Sequence, residues 1–292
     1  MRFLVIVLVV QALVASVFAV LVATGNLPFV ENDSSGASAK VNRFDGRAAY
    51  RLTEEQVALG PRPAGSAPSR KLAERLRSEL PGGRFQSVPG GLRNVVGKVR
   101  GRGRGFVVVG AHYDTKDIPG FVGANDGASG TAVVTQLART LKPRRLRRTV
   151  VFVLFDGEET PAGVPDSQFE RRGLRGSKVA ARRYRDARAM VLLDFVGEKG
   201  LRVPKEGLSD AGLWRKLRRS ARRVGAGRVF PDDEQGTILD DHLPFIRQGV
   251  PSIDLIDFDF RCFHQTCDDM SLISQRSLDA SGETVYRLLA SL

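Results

Sequence analysis

Val150-Val151-Phe152-Val153-Leu154-Phe155-Asp156-Gly157-Glu158-Glu159 runs six consecutive apolar residues almost straight into a glycine and two adjacent carboxylates. An apolar run of that length, rich in valine, reads as a strand buried on both faces, as in a parallel sheet covered by helices. Ligands of open α/β sheets collect in the crevice beyond the carboxyl ends of the strands, so the acidic pair is either a solvated turn or part of a site. The neighbouring stretches decide between the two.

Working outward, Phe106-Val107-Val108-Val109 leads to Ala111-His112-Tyr113-Asp114, and Met190-Val191-Leu192-Leu193 runs into Asp194. A fourth strand, over 250–256, precedes Cys262-Phe263-His264-Gln265-Thr266-Cys267-Asp268-Asp269. Each strand ends near residues that can ligate a metal or carry a proton. Helices are predicted over 44–59, around Leu72, Leu76 and Leu80, from the Asn125-Asp126-Gly127 turn to Leu141, up to about Arg185, over 208–224 and over 277–289, with a short one opened by Asp240-Asp241-His242. Stretches 94–99 and 105–110 read as a hairpin-like pair across an Arg-Gly turn. Strands alternating with helices over 41–292 predict one α/β domain with a mainly parallel central sheet, covered by helices on both faces.

The 292 residues suffice for such a domain, and 42% hydrophobic with 26% charged residues is ordinary for a globular chain. The formal charge of +13 is not ordinary. Arg2, Glu31, Asp33 and Lys40 cancel, so the excess lies on 41–292, in arginine runs such as 144–148 and 218–223. No aromatic interleaving accompanies these runs, so they read as solvated helix and turn faces rather than a nucleic-acid footprint, with an acidic membrane surface as a milder use. Residues 3–24 are almost all apolar and reach roughly 33 Å as a helix, enough to span a bilayer. The expected organisation is an N-terminal transmembrane helix or signal segment over 1–24, a flexible linker over 25–40, and a catalytic domain outside the cytoplasm. Secretion after signal cleavage is the alternative to anchoring.

The three histidines, His112, His242 and His264, all lie close to aspartates at strand or helix ends. Nitrogen and carboxylate donors favour zinc or another borderline divalent ion, and a bridging carboxylate lets two ions share one site. Adjacent carboxylates can divide the labour, one as ligand and one as proton carrier. Asp114 stands where it can hold the second ring nitrogen of His112. Asp126, at or just before a helix start, is either a ligand or simply an N-cap.

From Gly60-Pro61-Arg62 to about Asp269, five motifs occur in the order found in the zinc aminopeptidases of metallopeptidase clan MH, a family that includes the animal glutaminyl cyclases. The chain resembles that family. The resemblance implies His112 and Asp194 at one metal position, Glu159 and His264 at the other, Asp126 bridging them, and Glu158 as general acid/base. Stretches 155–159, 192–197 and 240–251 look closest to the cyclase branch, in which Asp126, Glu159 and His264 hold a single zinc and Asp194 and Asp241 support the proton relay. The tryptophans of the cyclase pocket are absent: the insertion after Glu159 has none, and Phe263 precedes His264.

Cys262 and Cys267 flank His264 in an exported domain, which predicts a disulfide pinning that loop, against the rival that a thiolate joins the metal. The expected activity is zinc-dependent aminopeptidase hydrolysis at the N-terminus of a peptide or protein, with one or two zinc ions. The alternative is glutaminyl-peptide cyclotransferase chemistry on the same residues. A binding ectodomain on this scaffold would lack a ligand or the base, and neither is missing.

Overall fold

The computed structural model describes residues 39–292. The apolar stretch 3–24 and nearly all of the expected linker lie outside the described residues, among which no helix is long and apolar enough to cross a membrane. Helix α1 (Gly46–Val57) starts where the Asp45 carboxylate accepts from the Ala48 N–H, and α2 (Ala67–Glu79) where Ser66 accepts from the Ser69 N–H. Then follow β1 (Arg84–Val88), β2 (Leu92–Val99), β3 (Phe106–His112), α3 (Gly130–Thr140), β4 (Thr149–Phe155), α4 (Arg175–Arg183) and β5 (Met190–Leu193). The chain continues through α5 (Ala211–Val224), α6 (Leu243–Arg247), β6 (Ser252–Leu255) and α7 (Gln275–Ser291).

The six strands form one sheet in the order β1-β2-β4-β3-β5-β6. Strands β3 to β6 are mutually parallel, whereas β2 runs antiparallel to β4 and β1 antiparallel to β2. The parallel part is therefore four strands wide, and an antiparallel ribbon makes the whole sheet mixed. The expected hairpin between 94–99 and 105–110 does not form, because β4 lies between its two arms. The connecting turn pairs instead with the approach to β4: the N–H groups of Arg102 and Gly103 donate to the carbonyls of Leu146 (3.1 Å) and Arg147 (2.6 Å). Strand β1, which was not expected, is a short edge element.

Strand β4 explains its own central position. Val150, Phe152 and Leu154 enter the core shared with α1, α2, α3, α5 and α7, while Val151, Val153 and Phe155 enter a second core with Ala180 and Ala181 of α4 and Phe245 of α6. Burying each such side chain contributes about 1.5–3 kcal/mol, so a strand apolar on both faces is driven to the middle of the layers. Helices do cover both faces, as the pattern predicts. Helix α5 buries Leu213, Trp214, Leu217, Ala221 and Val224 as one stripe and stops at Gly225, whose φ of 90° is the left-handed C-cap conformation.

Candidate metal centre

Three neighbouring parallel strands, β4, β3 and β5, deliver the first side chains from their carboxyl ends. His112 ends β3 directly beside Phe155, the last residue of β4. After β4 the chain turns at Gly157 (φ 75°), where any Cβ would lie 2.7 Å from Leu92 and 2.8 Å from the Arg175 guanidinium, and presents Glu158 and Glu159. Asp194 follows β5, and its carboxylate accepts from the N–H of Phe195, which is held at φ 45°. Left-handed backbone at a non-glycine costs energy and gathers at functional sites. His264 is a second instance, at φ 52°.

Asp126 is not an N-cap. Helix α3 begins four residues later at Gly130 with no side-chain cap. Asp126 sits in a turn over Ala124–Ser129, and the Asp268 carboxylate accepts from the N–H groups of Asn125 (2.7 Å) and Asp126 (3.0 Å). The turn needs Gly127 (φ 80°), where a Cβ would come within 2.9 Å of the His112 ring. Arg62, fully buried and lowered to about 10 by that burial, steadies the preceding loop by donating to the carbonyls of Val122 (2.9 Å) and Gly123 (3.4 Å).

The two oxygens of Asp126 face different histidines. Oδ1 lies 3.2 Å from His112 Nε2, which is 3.4 Å from Asp194, whereas Oδ2 lies 3.6 Å from His264 Nε2, which is 3.2 Å from Glu159. Two trios result, His112-Asp126-Asp194 and Asp126-Glu159-His264, each with donor atoms within 4.8 Å of one another. The charge is unbalanced. Burial alone would depress His112, yet Asp194, Glu158, Asp114 and Asp126 push it well above the ordinary histidine range. Burial raises Asp126 to about 6, with Glu159 and Asp194 adding to the rise. Buried carboxylates in excess, with only nitrogen and oxygen donors, fit a divalent ion of zinc type.

Asp114 stands at the second ring nitrogen of His112 as expected, but through its backbone. Its backbone carbonyl is the nearer partner of His112 Nδ1, at 3.1 Å, while its carboxylate stands 3.7 Å away. That carboxylate instead accepts from the N–H groups of Gly157 (3.0 Å), Glu158 (3.2 Å) and Glu159 (3.3 Å), fixing the turn that carries the acidic pair. Cys262 and Cys267 are joined in a disulfide around His264. Phe263 stacks on the His264 ring at 3.9 Å.

The trios open on a cavity of about 510 Å³ lined by Glu158, Glu159, Asp194 and His264, with Phe169, Phe195, Phe258, Phe263 and Ile256 as apolar walls. Burial, offset in part by His112, raises Glu158 well above the carboxylate range, so it can hold a proton. Asp240 also lines the cavity, whereas Asp241, expected in the relay, is fully buried against Ser177. His242 joins neither trio: its Nε2 is 3.2 Å from Glu206 and its Nδ1 3.7 Å from Asp254, in the interior. Two residues at the site carry no clear signal in the sequence, Asp240 as the cavity acid and Lys116 beside Glu159. The Lys116 ammonium lies 3.4 Å from Glu159 and 2.6 Å from both Asp166 and Thr160. Its position two residues after Asp114 was the only available signal.

A model of peptidase family M28 matches residues 94–289. The glutaminyl-peptide cyclotransferase of Bothrops jararaca is 27% identical over 240 residues, which cover 67% of this chain and 65% of that protein. The chain thus spans just under two thirds of the length of that curated relative. The solved structure of Porphyromonas gingivalis glutaminyl cyclase is 31% identical with a TM-score of 0.75, covering 86% of this chain and 99% of that one. A Zn-dependent exopeptidase from Parabacteroides distasonis is 27% identical with a TM-score of 0.76, covering 85% and 99%.

Proposed function

The chain belongs to peptidase family M28, and from that premise we propose that it is a zinc-dependent glutaminyl-peptide cyclotransferase, converting N-terminal glutamine to pyroglutamate. The observation that carries this reading is the aromatic wall: Phe263 stacked on His264, with Phe195 and Phe258 beside it, encloses the donors in a largely apolar cavity. Cyclisation is intramolecular, and water is its competitor, so a dry wall favours it.

Asp126, Glu159 and His264 would hold the ion, with His112 and Asp194 available for a second. A bound zinc ion supplies the Lewis acidity that polarises the side-chain amide of the substrate. Glu158 takes a proton from the α-amine as its nitrogen bonds to the amide carbon, and returns it to the departing nitrogen, which leaves as ammonia. Asp240 and Asp194 face the same cavity and support that transfer, in place of the Asp241 of the sequence-based expectation. Lys116 and the disulfide hold Glu159 and His264 in place.

Aminopeptidase hydrolysis is the second reading, favoured by one observation: the His112-Asp126-Asp194 trio is complete, as a two-ion hydrolase requires. There Glu158 would take its proton from the attacking water. The test is a glutamine-initiated peptide incubated with the purified chain, with metal content measured on the same preparation. Release of ammonia without chain shortening supports cyclisation, and release of free glutamine refutes it. Glu158→Gln should retain metal and fold while losing turnover; full activity would remove Glu158 from its role.

The Cys262–Cys267 disulfide supports an oxidising compartment. With it, we read residues 3–24 as the segment that carries the domain out of the cytoplasm, retained as an anchor or cleaved.

A further inference from the structure

The cavity beside the metal centre has a closed side and an open one. Glu158, Asp194 and Asp126 on the donor side are 6%, 5% and 3% exposed, whereas Leu239, Phe258 and Phe263 in the same lining are 42%, 44% and 38% exposed. Among the described residues only one other large apolar side chain, Leu208, is as open to solvent. A peptide that presents its N-terminus to the donors has to leave by the open side, so its second residue passes Leu239, Phe258 and Phe263. The volume of about 510 Å³ lies in the range of sites that bury a drug-sized ligand, more than one N-terminal residue needs.

Leu239 belongs to a stretch over 235–239, between α5 and α6, that has no helix or strand and no fully buried residue. Its course therefore depends on hydrogen bonds to the segment over 204–209 that precedes α5. Gln235 N–H donates to the Lys205 carbonyl (2.9 Å), and Gly207 N–H to the Gly236 carbonyl (3.2 Å). The bond nearest Leu239 is made by Glu206, which is fully buried. One of its carboxylate oxygens accepts from the N–H groups of Ile238 (3.0 Å) and Leu208 (2.9 Å). The other accepts from the Ser209 hydroxyl (3.1 Å) and lies 3.2 Å from His242 Nε2. Burial would raise that carboxyl, yet His242 and the two N–H groups hold it below the ordinary carboxylate range. His242, which the metal centre leaves unused, thus faces a buried carboxylate that would be costly without a partner.

We propose that Leu239, with Phe258 and Phe263, forms a subsite for a large apolar side chain at the second position of the substrate, and that Glu206 and His242 are its positioning residues. The proposal rests on the reading that the chain acts on peptide N-termini. Asp259, exposed in the same lining, disfavours an acidic residue there.

The test follows Gln-Phe-Ala, Gln-Ala-Ala and Gln-Asp-Ala with the zinc-loaded full chain, reading loss of intact peptide and the mass of the product. The ratio of kcat/KM between Gln-Phe-Ala and Gln-Ala-Ala should be about tenfold, as partial burial of a phenyl ring supplies, and should lie in KM. Gln-Asp-Ala should be the poorest of the three. Leu239→Ser, a surface change, removes much of that apolar area and should bring the ratio below about threefold. Glu206→Ala should act in the same direction with zinc content retained, and Glu206→Gln, which keeps an oxygen for the two N–H groups, should restore the preference. Should Glu206→Ala fail to fold, His242→Gln carries the same readout. Equal kcat/KM for the phenylalanine and alanine peptides overturns the proposal, as does a Leu239→Ser loss shared equally by both. A folded Glu206→Ala or His242→Gln with the full preference overturns the positioning role. Loss of the first residue in place of ammonia defeats the cyclisation reading alone, because the ratio still reports on the subsite. If neither product forms, calorimetric titration with the same two peptides reads the ratio as Kd.

Discussion

At the scale of single residues, the centre depends on which way neighbouring side chains point. Glu158 and Glu159 were legible in the sequence because a buried strand has one place to stop, and a glycine followed by acids marks it. Asp240 and Asp241 were not separable in that way. They lie between regular elements, where no period says which faces the cleft, and only the folded chain turns Asp240 to the cavity and Asp241 to Ser177. Asp240→Asn should lower kcat on the order of a hundredfold, the lower end of proton-transfer contributions. Asp241→Asn should change it less than about threefold, on the same scale. Steady-state kinetics with metal content measured in parallel decides it, and equal losses would merge the two roles. The sequence placed Asp114 beside His112 but gave no hint that its backbone carbonyl lies nearer the ring than its carboxylate.

At the scale of elements, helices with strong periods were readable to within a few residues, whereas β1 was not: five residues at a sheet edge carry too little apolar pattern. Strand order was not local information either, since β4 enters between β2 and β3 through contacts far apart in sequence. Where α1 meets α7, Asp279 is raised to about 7, by burial first and then by Glu283 and Asp45, with a hydrogen bond from Gly46 N–H opposing. Its unfolded value is 3.8, so between the two values the folded state keeps a proton that the unfolded chain has lost, and stability falls as pH rises through that window. In Asp279→Asn the fall between pH 5 and pH 8, read by urea unfolding, should become shallower; an unchanged profile would place the titration elsewhere. The short loop closed by Cys262 and Cys267 constrains His264 more than it stabilises the fold, because short cross-linked loops remove little chain entropy. Replacing both cysteines by Ser should weaken zinc binding by about ten- to a hundredfold, as loss of ligand support does, in a chelator competition assay, with little change in melting.

At the scale of the whole molecule, the donors come from separate segments that must all be in place together, so metal and fold are linked. A site filled at a hundred times its dissociation constant adds about 2.7 kcal/mol, which corresponds to about 5 to 10 °C in a domain of this size. Calorimetry with and without a chelator should show that difference, and coincident transitions would mean that the donors are not joined by an ion. The domain class was legible from alternation alone, but the gathering of the basic stretches 100–104, 142–148 and 182–188 before β3, β4 and β5 was not, because they are scattered along the chain and only the parallel crossovers bring them to one end. The brace from Asp268 to Asn125 spans 143 positions of the chain. A chain made from its amino end therefore displays His112, Asp126 and the Glu158-Glu159 pair long before His264 and its brace have been synthesised. Through that interval the Asp126-Glu159-His264 trio lacks its histidine and the Asp126 turn lacks its brace, so the centre is completed only when the last strand and loop have been made.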